Sequence, residues 1–123
     1  MSHVFIADSQ TTERFALRLL LMGLNMVVVG EAADWSSILI QAPIARTDLL
    51  LVEWGLLPNK PCAAIEELRE ACPYALVTIL INHPNARKQA AISAGGATFL
   101  CKDESPDHFV ELLRAFAELL PPD

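Results

Sequence analysis

Five short apolar runs alternate with helix-like stretches along the whole chain, and that alternation leaves few folds open. The runs are Val4–Ala7, Met26–Val29, Leu49–Val52, Leu76–Ile81 and Thr98–Cys101. Each is rich in Val, Ile, Leu or Phe and has the length of a strand. Most read as unbroken apolar runs instead of in–out alternation, which suits parallel strands covered on both faces. The intervening stretches carry helix punctuation. Thr11–Met22 sets Phe15, Leu19 and Met22 on one face, and Ser36–Gln41 follows Asp34, a candidate N-cap. Lys60–Ala71 has Pro61 in its first turn and directs Ile65 and Leu68 inward. Pro84–Ala94 opens on proline and stops at Gly95-Gly96. Pro106–Leu119 is capped by Ser105 and turns Phe109, Leu112, Leu113 and Phe116 inward at spacings of three and four. Five βα units in succession predict an α/β doubly wound parallel sheet with right-handed crossovers. Ligands of such sheets sit beyond the carboxyl ends of the strands.

Composition supports one domain and narrows its partners. The chain has 123 residues, 53% of them hydrophobic, which suffices for one well-filled core. Residues 1–120 are expected to form that single domain. Pro121, Pro122 and Asp123 read as a tail or the start of a linker to an output domain. Nine Lys and Arg against fifteen Asp and Glu give a net charge of −6. That balance speaks against direct nucleic-acid binding, which rests on cationic side chains neutralising phosphates, and against anionic membrane surfaces. The most apolar stretch, Leu19 to Val29, is shorter than the ~20 residues of a spanning helix and contains Gly23 and Asn25. No signal peptide is expected, since the first residues lack a basic run before an apolar one. Cys62, Cys72 and Cys101 form no CxxC pair and are expected to be reduced thiols of a cytoplasmic protein.

The strand ends bring together a short set of polar residues. Strand one ends at Asp8-Ser9, strand three at Glu53, strand four at Ile81-Asn82 and strand five at Lys102. Several stretches then match a known family in order and spacing: Val4-Phe5-Ile6-Ala7-Asp8, Val28-Val29-Gly30-Glu31-Ala32 and Asp48-Leu49-Leu50-Leu51-Val52-Glu53. Ala94 through Asp103 and Ser105-Pro106 continue the match. The chain resembles the response-regulator receiver domains of two-component phosphorelay signalling, most closely those that precede LuxR-type DNA-binding domains. The resemblance implies the flavodoxin-like, CheY-like strand order 2-1-3-4-5.

It also implies a chemistry that this chain keeps only in part. The family places two acids after strand one to hold Mg²⁺, and here they read Asp8-Ser9. Its phosphoacceptor aspartate falls at Glu53, its strand-four hydroxyl at Ile81, its lysine at Lys102 and its aromatic switch residue at Phe99. A proline expected four residues beyond the acceptor is Leu57, with Pro58 next. Mg²⁺ requires near-ideal octahedral oxygen geometry, so losing one acid weakens the site. Glu53 is one methylene too long, and Ile81 brings no hydroxyl. The expectation is a pseudo-receiver that is not phosphorylated and has no catalytic residues. It would serve as a protein–protein interaction module, either with Lys102 pairing with Glu53 as a mimic of the phosphorylated state or as a locked, unswitched scaffold, since Ile81 and Phe99 cannot form the family's hydrogen-bonded relay. No cofactor is expected. Asp8 and Glu53 are the candidates should a divalent cation bind.

The resemblance points to the surface of helix four, strand five and helix five as the contact face for a protein partner, an output domain or a second copy. Arg87, Lys88, Ala91, Asp103, Asp107 and Glu111 fall on it. Two alternatives stay open: a working phospho-receiver controlling a DNA-binding domain, and a flavin or phosphate binder using polar Ser9-Gln10-Thr11-Thr12. Asp8, Glu53 and Lys102 could equally be a charge cluster that stabilises strand ends. His3, His83 and His108 read as surface residues, and Trp35 and Trp54 as loop aromatics packed at an edge.

Overall fold

Strand β3 (Leu49–Glu53) explains the architecture on its own: its first four residues are all fully buried, yet they face two different cores. Leu50 and Val52 join one apolar cluster, Leu49 and Leu51 the other. Successive side chains point to opposite faces of a strand, so an unbroken apolar run means both faces are covered. A computed structural model describes residues 2–103 and 105–120; the proposed tail at Pro121, Pro122 and Asp123 lies outside the described residues.

Around β3 the chain runs β1 (His3–Ala7), α1 (Thr11–Gly23), β2 (Val27–Ala32) and α2 (Trp35–Ile44) before it. After it come a 3₁₀ turn (Trp54–Leu56), α3 (Pro61–Ala71), β4 (Leu76–Ile81), α4 (Ala86–Ala94), β5 (Thr98–Cys101) and α5 (Pro106–Glu118). The strands form one parallel sheet in the order β2-β1-β3-β4-β5, as the resemblance implied. Helices α2, α3 and α4 cover one face through Ile38, Ala42, Ile65, Leu68 and Ile92. Helices α1 and α5 cover the other through Leu17, Leu21, Phe109 and Leu113.

Helix ends follow local chemistry. Asp34 caps α2 by accepting from the Ser37 N–H at 2.8 Å, which with the Ser36 hydroxyl holds its carboxyl below the ordinary range. Ser105 caps α5 through the His108 N–H. Pro84 does not open α4: Asn85 caps it, accepting from the Lys88 N–H, and the helix starts at Ala86. Helix α2 continues to Ile44 instead of stopping at Gln41. Pro43 removes only one N–H there, near the helix end, while buried Ala42 anchors the turn and accepts from the Thr47 hydroxyl. At the end of α4 the Ala97 N–H reaches Ile92 O and the Gly96 N–H reaches Ser93 O, with Gly96 at φ +85°. This is a Schellman stop. Asn25, at φ 60°, ends α1 the same way.

Helix α1 corrects a plain reading of its periodicity. Phe15, Leu19 and Met22 do share a face, but it is the solvent face; Leu17 and Leu21 enter the core.

Close packing fixes how α3 meets α4. A Cβ on Gly95 would lie 2.9 Å from both Cβ and Cγ2 of Ile65. Ile65 is fully buried and cannot give way. Gly95→Ala is therefore expected to cost about 2 kcal/mol by overpacking, read as a lower urea midpoint at unchanged slope.

Candidate functional site

Parallel pairing aligns the strand ends, so the residues that follow β1, β3, β4 and β5 meet at one edge. Asp8, Ser9, Gln10, Glu13, Glu53, Asn82 and Lys102 line a cleft of about 160 Å³ there. Asp8 is only 2% exposed and is held from three sides. Its N–H donates to Ala32 O, its Oδ1 accepts from the Gln10 N–H at 2.9 Å, and its Oδ2 accepts from Lys102 Nζ at 2.9 Å. Lys102 is aimed by its own backbone, whose N–H donates to Ile81 O at 2.7 Å. Its ammonium also reaches Glu13 Oε2 at 3.5 Å.

The lysine is thus committed to Asp8 and Glu13, and the expected Lys102–Glu53 pair is not formed. Glu13 was not singled out from sequence, although the signal existed. A helix starting at Thr11 places it in the first turn, where it hangs over the end of the neighbouring strand. Glu53 instead folds back over its own loop. A Cβ on Gly55 would come within 2.7 Å of Glu53 Oε2, so the glycine leaves room for that carboxylate. No described residue donates a hydrogen bond to it.

Ile81 is a second correction. It stands at the strand end, but its side chain is 1% exposed and belongs to the core under α2, α3 and α4. Asn82, one residue on, lines the cleft instead. One residue of slip along a strand exchanges the two faces. Ser9 is exposed at the rim.

The donor set does not fit a divalent cation. Both oxygens of Asp8 are engaged by Gln10 and Lys102, and an ammonium sits where Asp8 and Glu13 converge. Among the described residues no group of three or more His, Cys, Asp or Glu is placed to hold a metal. The cleft is also small against the roughly 300–1,000 Å³ of pockets for organic ligands, and of Ser9-Gln10-Thr11-Thr12 only Ser9 and Gln10 line it.

Two further links connect the site to its surroundings. Trp54, partly buried after Glu53, lies under Lys88 of α4, with Nζ 5.4 Å from the ring centre. His83 is exposed, yet its Nδ1 lies 3.0 Å from Asp103 Oδ2, joining the loops after β4 and β5. The Cys101 thiol donates to the other oxygen of Asp103 at 2.6 Å; with His83 this holds the Asp103 carboxyl below the ordinary range. Phe99 is partly buried against the three-helix core layer. Arg87, Asp103, Asp107 and Glu111 are exposed on the predicted contact face, with Lys88 and Ala91 half-buried beside them. At the opposite edge of the sheet Asp48 pairs with His3 at 3.2 Å, away from the cleft.

No family model matches the chain. It is 27% identical over 116 residues to an uncharacterized transcriptional regulatory protein, YxjL, of Bacillus subtilis (strain 168). That match takes in 93% of this chain and 53% of the relative, so the chain spans about half the relative's length. Among solved structures it is similar to the isolated REC domain of RcsB from Salmonella enterica serovar Typhimurium, solved with the phosphomimetic BeF3-. The TM-score there is 0.85 at 19% identity, covering 98% of this chain and 91% of that one. It is likewise similar to the chemotaxis protein CheY4 of Vibrio cholerae, with a TM-score of 0.77 at 21% identity over 94% and 98% of the two chains. The REC domain of AraT from Geobacillus stearothermophilus gives 0.80 at 22% identity, over 96% and 94%.

Proposed function

We propose that this chain, whose fold is that of response-regulator receiver domains, is a receiver of two-component signalling that works without being phosphorylated. The observation that carries this reading is the placement of the lysine that follows β5. Lys102 neutralises Asp8 and Glu13, while Glu53 at the acceptor position turns away over Gly55. A carboxylate attacking a phosphoryl donor needs an in-line approach and cationic charge on the transferred oxygens. Here the cation is spent elsewhere. Among the described residues Glu53 also has no partner to hold it as a phosphoryl mimic, which favours a fixed scaffold over a locked on-state.

In this reading the domain acts through its surface in the cytoplasm. The face of α4, β5 and α5 offers mixed charge, from Arg87 and Lys88 to Asp107 and Glu111, to a protein partner or an attached output domain. Among the described residues no helix is long and apolar enough to cross a membrane. The test is a backbone amide NMR titration with Mg²⁺ and beryllofluoride. The expected result is no saturable shift at Asp8, Glu53 or Lys102. Saturable shifts there that spread to Phe99 and α4 would restore a working switch and overturn the proposal.

A further inference from the structure

Helix α4 is anchored unequally at its two ends. Its C-terminal end is locked. Ile92 is fully buried, and Gly95 packs so closely on Ile65 that a Cβ would lie 2.9 Å from it. Arg69 of α3 also donates to Gly95 O at 3.3 Å. The N-terminal end has no such anchorage. Residues 82–87 are all exposed, and the buried residue of the helix, Ile92, lies in its second half.

The first turn also departs from the chemistry of a good helix start. Asn85 is the cap, so Arg87 and Lys88 occupy the second and third helical positions, with no acid in that turn. Cations there oppose the helix dipole. The third position favours Glu or Gln, whose side chain can reach back to the cap N–H. Sequence neighbours bring no relief, because residues 71–102 contain no Asp or Glu although the chain has fifteen. Three and four residues from Lys88 stand Pro84, Asn85, Ala91 and Ile92, none of them a carboxylate. What Lys88 has instead is an aromatic face. Its Nζ lies 5.4 Å from the centre of the Trp54 ring, inside the ~6 Å over which an ammonium is drawn to the ring's negative face. The ring is a firm support. Trp54 packs against the core layer under α2, α3 and α4, and its carbonyl accepts from the Leu57 N–H at 3.1 Å, which closes the turn.

We propose that Lys88 over Trp54 is a strap that holds the first turns of α4 down on the loop after β3, with the pivot at Gly95. With the strap open, the helix loosens from Asn85 to Ala91 while Ile92 to Ala97 stay in place. Neither Lys88 nor Trp54 lines the cleft, so the strap works whatever the state of Asp8 and Lys102. Its use rests on the reading of α4 as part of a contact face. Arg87 and Ala91 ride on the strapped turns, so a partner carboxylate that draws the ammonium off the ring alters the surface the partner meets. No phosphoryl group is needed for that change.

The experiment is native-state amide hydrogen exchange by NMR on the unsubstituted chain, Lys88→Gln, Lys88→Arg, Trp54→Leu and the Lys88→Gln/Trp54→Leu double variant. Residues 89–91 report on the strapped turns and residues 95–97 on the pivot. Local chemistry alone makes Lys88→Gln tighten the helix start. The strap works against that, and the double variant separates the two effects. Lys88→Gln should shift exchange at residues 89–91 about 2- to 5-fold further towards fast exchange with Trp54 present than in the Trp54→Leu background. Lys88→Arg keeps the cation and should keep the protection. Residues 95–97 should be unchanged by any substitution at Lys88. The Lys88 Cε protons should be shifted upfield by the indole ring current and lose that shift in Trp54→Leu. Lys88→Gln acting alike in both backgrounds overturns the strap, as does an unshifted Lys88. Loosening by Lys88→Gln that spreads equally to residues 95–97 overturns the pivot. No readout uses a phosphoryl analogue or a partner, so failure here leaves the beryllofluoride result standing, and the reverse holds too.

Discussion

Incubated with acetyl phosphate and Mg²⁺, the chain should keep its intact mass, while a Ser9→Asp/Glu53→Asp variant should gain one phosphoryl group. The contrast follows from geometry. The extra methylene of Glu53 lets its carboxylate reach over Gly55 at the cleft's edge, away from Lys102. Aspartate cannot reach that position and must point from the strand end into the cleft. A second acid at position 9 competes with Lys102 for the neighbourhood of Asp8 and offers a cation the oxygen it lacks. Positioned groups of this kind are each worth roughly 10²–10³ in rate, so the double variant should react at least ~100-fold faster. Glu53→Asp alone should do little, because Asp8 remains engaged by Lys102 and Gln10. A phosphoryl adduct on the unsubstituted chain, located to Glu53 by peptide mapping, would sink the idea of a silent acceptor.

Removing the lysine should cost more stability than any other change at this edge. Lys102→Met leaves Asp8, which is 2% exposed, without its counter-charge and leaves Glu13, which shares the ammonium, unpaired with it. Stripping one member from a buried ion pair typically costs about 3–5 kcal/mol, mostly through the charge left behind. Lys102 is itself partly exposed, which places the expected loss at about 3 kcal/mol in urea unfolding. Asp8→Asn in the Lys102→Met background should recover most of it, since an amide carbonyl can still accept from the Gln10 N–H while carrying no charge. A Lys102→Met variant within about 0.5 kcal/mol of the parent would mean that water, not the lysine, solvates Asp8. The cleft would then lose its structural rationale.

The two corrections at the cleft share a cause. Glu13 was invisible as a site residue because the reading followed strand ends alone, and Asn82, though named at the end of strand four, was passed over for Ile81. Whether a residue one past a strand end looks into the core or into the cleft is a matter of single-residue register. Ile81 and Asn82 show both outcomes side by side. The partner of Lys102 was beyond reach for another reason. Three carboxylates lie near it, and the backbone bond to Ile81 O together with the bend held by Asp8 and Gln10 selects two of them.

Sequence by itself determined the architecture: five parallel strands, visible as apolar runs because the central ones are buried on both faces, and five helices, two of them with their caps Asp34 and Ser105. It supplied the chemical inventory too, with Glu53, Ser9 and Ile81 standing where the resemblance implies an aspartate, a second acid and a hydroxyl. Only the tertiary structure decided how those pieces act. Helix α1 has apolar residues on two sides, and periodicity cannot say which side a sheet will cover. Packing chose Leu17 and Leu21, leaving Phe15, Leu19 and Met22 outside. Lys102 is 94 residues from Asp8 in the chain, and only the folded sheet brings the ammonium to that carboxylate and not to Glu53. Local pattern fixes what each segment can bury, but which charge meets which depends on long-range contacts that no local pattern encodes.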